Sequence, residues 1–463
     1  MLKAVRLALV TLTALMAIPA ATVHAAQRMP IGFFDDPSFR WSATRTTNMQ
    51  RAQVEGASVI RTIASWPAIA TKRPANPLNG DDPAYKLSDL DDLVFQSGLY
   101  GHRVSINITG TPKWANGGKA PNVMPKKLVD LTNFARMLAT RYNGRSGHGS
   151  VSLYSVWNEP NLQLFLTPQF VGKKIVGPSN YGKLYKSAYA GIKKGNPAAQ
   201  VAIGETSQRG RDKPLKGVSA SIAPATFARL LSQTKGLKFD AWAHHPYPST
   251  SSLPPTQRVR YPNVALSTMP QFEKDLKKWF KRTVPIWITE YGHETKPPDP
   301  RGASYAKQAA YAKQALAIAK NDPNVQMFIW FTFKDSVGNP WQSGLYTQGD
   351  LQKPAFDAFG SLARLTDGTT VTTKAGVPPK VKMFVPYLSH YSQTGTTIGM
   401  TYVVYDKSTT VAVGQPTAPL GGDQSVTFVP NFKPVKGHSY TVVANLNEPN
   451  GHSESHTSVV TVS

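Results

Sequence analysis

A chain of 463 residues with 52 Lys+Arg against 27 Asp+Glu carries a formal charge of +25 and has no cysteine. Disulfides and thiolate metal centres are therefore excluded, and the apolar core alone must hold either two domains or one large barrel with a small module. The basic residues are scattered, with only pairs such as Lys126-Lys127, Lys173-Lys174 and Lys193-Lys194. That pattern argues against a nucleic-acid binder and for a solvated surface, either merely soluble or attractive to acidic polysaccharide and cell wall.

Residues 1–26 read as a secretory signal peptide: Lys3 and Arg6, an apolar run from Leu7 to Ala21, then small residues up to Ala26. No later stretch is apolar for long enough to insert stably in a membrane. From residue 27 to 368, eight strand-like runs alternate with helix-like runs. The strands are expected at 29–34, 58–64, 103–108, 151–157, 200–204, 239–244, 285–289 and 325–333. Helices are expected at 44–56, 88–98, 128–142, 180–194, 224–234, 267–281, 305–319 and 354–365. Leu128, Leu131, Ala135, Leu138 and Tyr142 show the helical step of three and four. Eight such units predict an α/β fold, a (β/α)₈ TIM barrel. The loops leaving the strands are long and rich in Pro, Gly and aromatics, as at 160–178, 206–222 and 335–352, and would build a cleft on one face. A linker is expected at 369–378. From 379 to 463 the alternation of Ile398, Met400, Tyr402 and Val404, with Asp/Gly/Asn/Pro turns between runs, predicts a small all-β sandwich.

The eight glutamates of the chain are Glu55, Glu159, Glu205, Glu273, Glu290, Glu294, Glu448 and Glu454. Three of these fall at C-terminal ends of expected strands four, five and seven. A carboxylate at the end of a buried strand is costly unless paired, so the placement is informative. Taken alone, Trp157-Asn158-Glu159-Pro160-Asn161 also fits a turn. Ile288-Thr289-Glu290-Tyr291-Gly292 repeats the same logic on strand seven: apolar strand, carboxylate, break. Two carboxylates facing each other across a barrel mouth suit glycosidic bond cleavage, one protonating the leaving oxygen and the other attacking the anomeric carbon or activating water.

This pair of motifs resembles the clan A retaining glycoside hydrolases, family 39-like or cellulase-like family 5, over residues 30–365. The resemblance implies Glu159 as acid/base and Glu290 as nucleophile. It further implies a substrate-binding set: Asn158 on a sugar hydroxyl, Arg61 near the nucleophile, and His245 and Tyr247 after strand six. To these it adds Trp330 flooring the cleft, and Trp114 in Thr111-Pro112-Lys113-Trp114. Glu205 fits a helper or an ion-pair partner of Arg61. Trp114, Trp341 and Tyr346 either stack on sugar or pin loops. The expected protein is a secreted, monomeric glycosidase acting on a poly- or oligosaccharide, with no cofactor, no metal and no nucleic-acid partner. A transglycosylase using the same residues, or a non-catalytic carbohydrate-binding barrel, would keep the same pattern.

Overall fold

Eight short strands form the centre: β1 (Ile31–Phe34), β2 (Val59–Ser65), β3 (Arg103–Thr109), β4 (Leu153–Val156), β5 (Gln200–Ser207), β6 (Ala241–His245), β7 (Ile286–Tyr291) and β8 (Val325–Trp330). They pair in parallel and in chain order, and β1 closes on β8. The computed structural model describes residues 29–367, 370–385, 388, 392–407, 409–422, 425–449, 451 and 453–463. The expected signal peptide lies outside these.

Strand parity sorts the side chains. Val59, Leu153, Ala202, Ala241, Ala243, Trp287, Met327 and Ile329 fill the barrel interior. Ile60, Ile106, Tyr154, Ile203, Trp242, Ile288 and Phe328 point outward into a second apolar layer. That layer is covered by eight helices: α1 (Arg45–Val54), α2 (Ser88–Leu99), α3 (Leu128–Arg141), α4 (Gly177–Gly195), α5 (Pro224–Leu231), α6 (Met269–Phe280), α7 (Tyr305–Lys320) and α8 (Pro354–Asp367). Burial on both faces explains why the strands are apolar runs rather than alternating ones.

Two irregularities matter for function. On β5, Gly204 pairs with Ala243 and Thr206 with His244, so Glu205 is an extra residue bulged out of register, at φ 46°. On β7 the register shifts again, with Ile288 opposite Phe328 and Tyr291 opposite Trp330. Such bulges re-aim side chains and are favoured beside active sites. Gly204 sits at φ 106° against the Trp242 ring, where a Cβ would approach that ring to 2.7 Å, so no other residue fits without displacement.

Beyond α8 the chain forms β9 (Thr370–Thr373), β10 (Val381–Phe384), β11 (Thr397–Asp406), β12 (Thr409–Gly414), β13 (Thr417–Pro419), β14 (Ser425–Phe428), β15 (Ser439–Asn447) and β16 (Ser453–Val462). One sheet has the order β9-β16-β15-β11-β12 with β13 also on β11; β10 and β14 form the other. Ile398, Met400, Tyr402, Val404, Val442 and Leu446 are buried between them, on the face their alternation predicted. The linker expected at 369–378 is corrected by β9, which pairs in parallel with β16; a Thr-rich, β-branched run suits an edge strand. The sandwich meets the barrel at the C-terminal ends of α1 and α2. There Gln53 Nε2 donates to Asn445 Oδ1 at 2.5 Å and the Ser453 hydroxyl donates to the Gly98 carbonyl at 2.7 Å. Barrel helices run opposite to the strands, so this is the face away from the mouth.

Candidate active site

Glu159 closes the turn after β4, and the backbone there is unusual: Trp157 has φ 69° and Glu159 φ 38°. Left-handed non-glycine residues cost of order 1–3 kcal/mol each and persist only where neighbours impose them. The neighbours are visible. Asn107 Nδ2 donates to the Trp157 carbonyl at 2.5 Å, and Trp157 Nε1 donates to the Phe165 carbonyl at 2.6 Å. Asn161, fully buried, gives its amide to Arg209 and Ile222 carbonyls and accepts from the Ser207 N–H. The second Asn of the motif is thus a brace between loops.

Glu159, Glu205 and Glu290 converge on His245. Its Nδ1 donates to Glu159 Oε1 at 3.1 Å and lies 3.5 Å from Glu290 Oε2, and its Nε2 donates to Glu205 Oε2 at 2.7 Å. Arg61, stacked at 4.4 Å over the Phe34 ring, reaches Glu290 Oε1 at 2.9 Å, Glu205 Oε2 at 3.2 Å and Asn158 Oδ1 at 3.4 Å. The Tyr247 hydroxyl donates to Glu290 Oε2 at 3.3 Å, and the Thr289 hydroxyl donates to Glu205 Oε2 at 2.8 Å. Arg61, Asn158, Glu159, His245, Tyr247 and Glu290 therefore form one network, as the sequence grouped them.

The electrostatics follow from burial and charge. Desolvation would raise the Glu205 carboxyl, but Arg61 and His245 outweigh it and hold it down at about 2. Desolvation would lower His245; the surrounding carboxylates outweigh that and push it up to about 10. Burial lifts Glu290 above its ordinary value; His245 and Arg61 pull against the lift and Glu159 adds to it. Tyr247 is raised well above its usual range by burial and the adjacent carboxylates, so it stays a donor. His244 has a different task. It is held between the Thr206 hydroxyl and the Val264 carbonyl, both at 2.9 Å, and burial lowers it to about 3.

Glu205 is thus a fully buried anchor of the two cations rather than a group facing solvent. Glu205→Gln is expected to cost about 3–5 kcal/mol, because it leaves buried Arg61 and His245 short of a partner; chemical denaturation measures this. The loss should also be visible in the pH–rate profile. His245 is held as a cation, so the stability it adds is full below about 6.5 and fades as pH rises through about 10, and an alkaline limb of the rate profile that reports its deprotonation lies at the upper value. Removing one of its carboxylates moves that alkaline limb to lower pH. A purely structural Glu205 would change stability and leave the limb in place.

A cavity of about 490 Å³ opens over the glutamates, lined by Phe34, Asn158, Glu159, Tyr247, Glu290, Phe331 and Trp341 among others. A larger one, about 660 Å³, lies between α6 and α7 at the far end of the barrel and contains none of the network; polar convergence, not volume, marks the site. Two expected residues are not in the cleft. Trp330 is fully buried on the outer face of β8, against Tyr291, His293 and Phe359, with Nε1 donating to the Ser343 carbonyl. Parity explains the correction: Met327, Ile329 and then Phe331 face inward, so Phe331, not Trp330, reaches the cavity. Its position is fixed from behind, where Asp35 Oδ2 accepts from the Phe333 and Lys334 N–H groups. Trp114 pins its loop, donating to the Ala70 carbonyl at 2.7 Å beneath the Arg73 guanidinium. Tyr346 likewise packs on Phe333 and Phe356. Of the three loop aromatics, Trp341 alone lines this cavity, edge-on to Tyr247.

The fold has many solved relatives. A family 39 glycoside hydrolase from the gut symbiont Bacteroides cellulosilyticus WH2 superposes with a TM-score of 0.54 at 18% identity, over 88% of this chain and 81% of that one. A GH39 β-xylosidase from Caulobacter crescentus gives 0.54 at 15%, over 88% and 96%. A glucosidase from Croceicoccus marinus gives 0.56 at 12%, over 90% and 95%. No curated protein sequence matches the chain. The sequence model for glycosyl hydrolases family 39 matches residues 113–387, more than half of the chain; with a barrel mouth built around paired glutamates, this protein belongs to glycosyl hydrolase family 39 and is a glycosidase.

Proposed function

We propose that the chain is a secreted, retaining glycosidase that cuts polymeric or oligomeric carbohydrate by double displacement. One observation carries the reading: Glu159 and Glu290, from opposite parts of the barrel mouth, approach the same ring nitrogen of His245 at 3.1 and 3.5 Å. Both carboxylates thus reach one point of the mouth, and double displacement expects their carboxyl groups roughly 5–5.5 Å apart rather than the roughly 6.5–9.5 Å that leaves room for a water in inverting enzymes. In the first step Glu159 protonates the glycosidic oxygen while Glu290 attacks the anomeric carbon, giving a covalent glycosyl-enzyme. In the second, Glu159 takes a proton from water, which displaces Glu290.

The surrounding groups serve these steps. Arg61 and Tyr247 each hold one oxygen of Glu290 and fix its direction of attack. Asn158, beside the acid and in the cavity wall, is placed for a sugar hydroxyl. Phe331 and Trp341 offer apolar walls for sugar C–H faces. Export is supported by the basic start, apolar run and small residues of positions 1–26. The test is proton NMR of the first product formed from an aryl glycoside. The product anomer should match the substrate anomer, and an inverted product would overturn double displacement.

A further inference from the structure

The cleft continues past the glutamates. On the Glu159 side a cavity of about 370 Å³ lies between the loop after β4, which gives Leu162 and Leu164, and the loop after β5, which gives Arg209 and Arg211. Leu162, Leu164 and Arg209 line both this cavity and the central one, so the two are continuous. None of the residues lining the outer cavity carries a carboxylate. Toward the loop after β7 the lining differs: a cavity of about 260 Å³ there, which Arg209 also lines, mixes Glu294 and Asp299 with Arg301.

The cationic end is built rather than incidental. Both guanidinium-bearing residues are exposed. The single acid of their loop, Asp212, is turned away, its two oxygens accepting from the Ala223 N–H at 2.8 Å and the Thr226 hydroxyl at 2.7 Å at the start of α5. The loop is clamped to its neighbour. Gln163 N–H donates to the Ala220 carbonyl and Gln163 Oε1 accepts from the Ala220 N–H, while Asn161 holds the Arg209 carbonyl. Across the gap, Leu164 is 69% exposed and with Leu162 gives the cavity an apolar wall.

A ring with an apolar C–H face and a carboxylate on its rim matches this pairing: leucine against the face, arginine forks against the acid. We propose that the cavity is a subsite for a carboxylate-bearing sugar unit, lying on the leaving-group side of the bond cut between Glu159 and Glu290. The assignment of the side rests on Glu159 being the acid. The enzyme would then select polymers with uronic-acid units a short distance from the cleaved linkage.

Binding to the Glu290→Gln protein tests this without cleavage. Short oligosaccharides of glucuronate, galacturonate and mannuronate are titrated calorimetrically, each beside the same oligosaccharide with its carboxyls reduced to alcohols. At least one acidic series should bind roughly tenfold or more tightly than its reduced form, as expected for one charge-assisted fork. Adding Arg209→Ala and Arg211→Ala should bring the ratio to near one, Arg209→Glu with Arg211→Glu should reverse it, and the double Lys variant should keep part of it. A ratio near one for every series in the parent background, or an advantage that survives loss of both arginines, would overturn the subsite. The double-displacement reading fails separately: it falls if Glu290→Gln still turns over aryl glycosides, whatever the binding ratios.

Discussion

Glu290→Gln is expected to lose turnover by at least ~10⁴-fold on every glycoside, activated or not, since removal of a covalent nucleophile elsewhere costs up to about 10⁶. An amide has no charge to offer the anomeric carbon, and no neighbour can substitute. Glu205 is held on Arg61 and His245, and Glu159 stands on the leaving-group side in the proposed geometry. The fold should survive, because Glu205 still pairs with both Arg61 and His245. Initial rates on aryl glycosides, with a thermal melt as control, measure both parts. A variant within tenfold of the parent would remove Glu290 from the nucleophile's role.

Glu159→Gln is expected to behave differently in a way that identifies the acid. Loss of general acid catalysis costs about 10²–10⁴-fold where the leaving oxygen needs a proton. It should cost far less for a dinitrophenyl group, which departs as a stable anion. The second step would then limit turnover, because no base activates water. In Glu159→Ala, where truncation opens room for a small anion, azide should restore turnover and give a glycosyl azide of retained configuration. A loss equal for all leaving groups, with no response to azide, would reassign Glu159 to a positioning task.

The barrel was legible because each of its strands is covered on both faces and must be an apolar run, and because the carboxylates stand where those runs stop. Val151–Val156 before Glu159 and Ile286–Thr289 before Glu290 carry that signal in the residues themselves. The aim of the side chains was less legible. Glu205 and Glu290 sit at register shifts, and a bulge turns a side chain without any mark in composition. Trp330 shows the opposite case. Counting parity from Met327 would have placed Phe331 in the cleft and Trp330 outside it. The charge of the loop after β5 was readable, but not that hydrogen bonds at the start of α5 occupy its one acid, Asp212.

The pairing of β9 with β16 ties the order of synthesis to the shape of the molecule. The strand made immediately after the barrel finds its partner only when β16, far later in the chain, exists. The residues of β16 also carry contacts with α2 and α8. The barrel and its mouth can therefore be complete while the sandwich is still open along one edge, and β16 acts as a late clasp. Deleting β16 would release that clasp and leave the glutamates at the other face undisturbed.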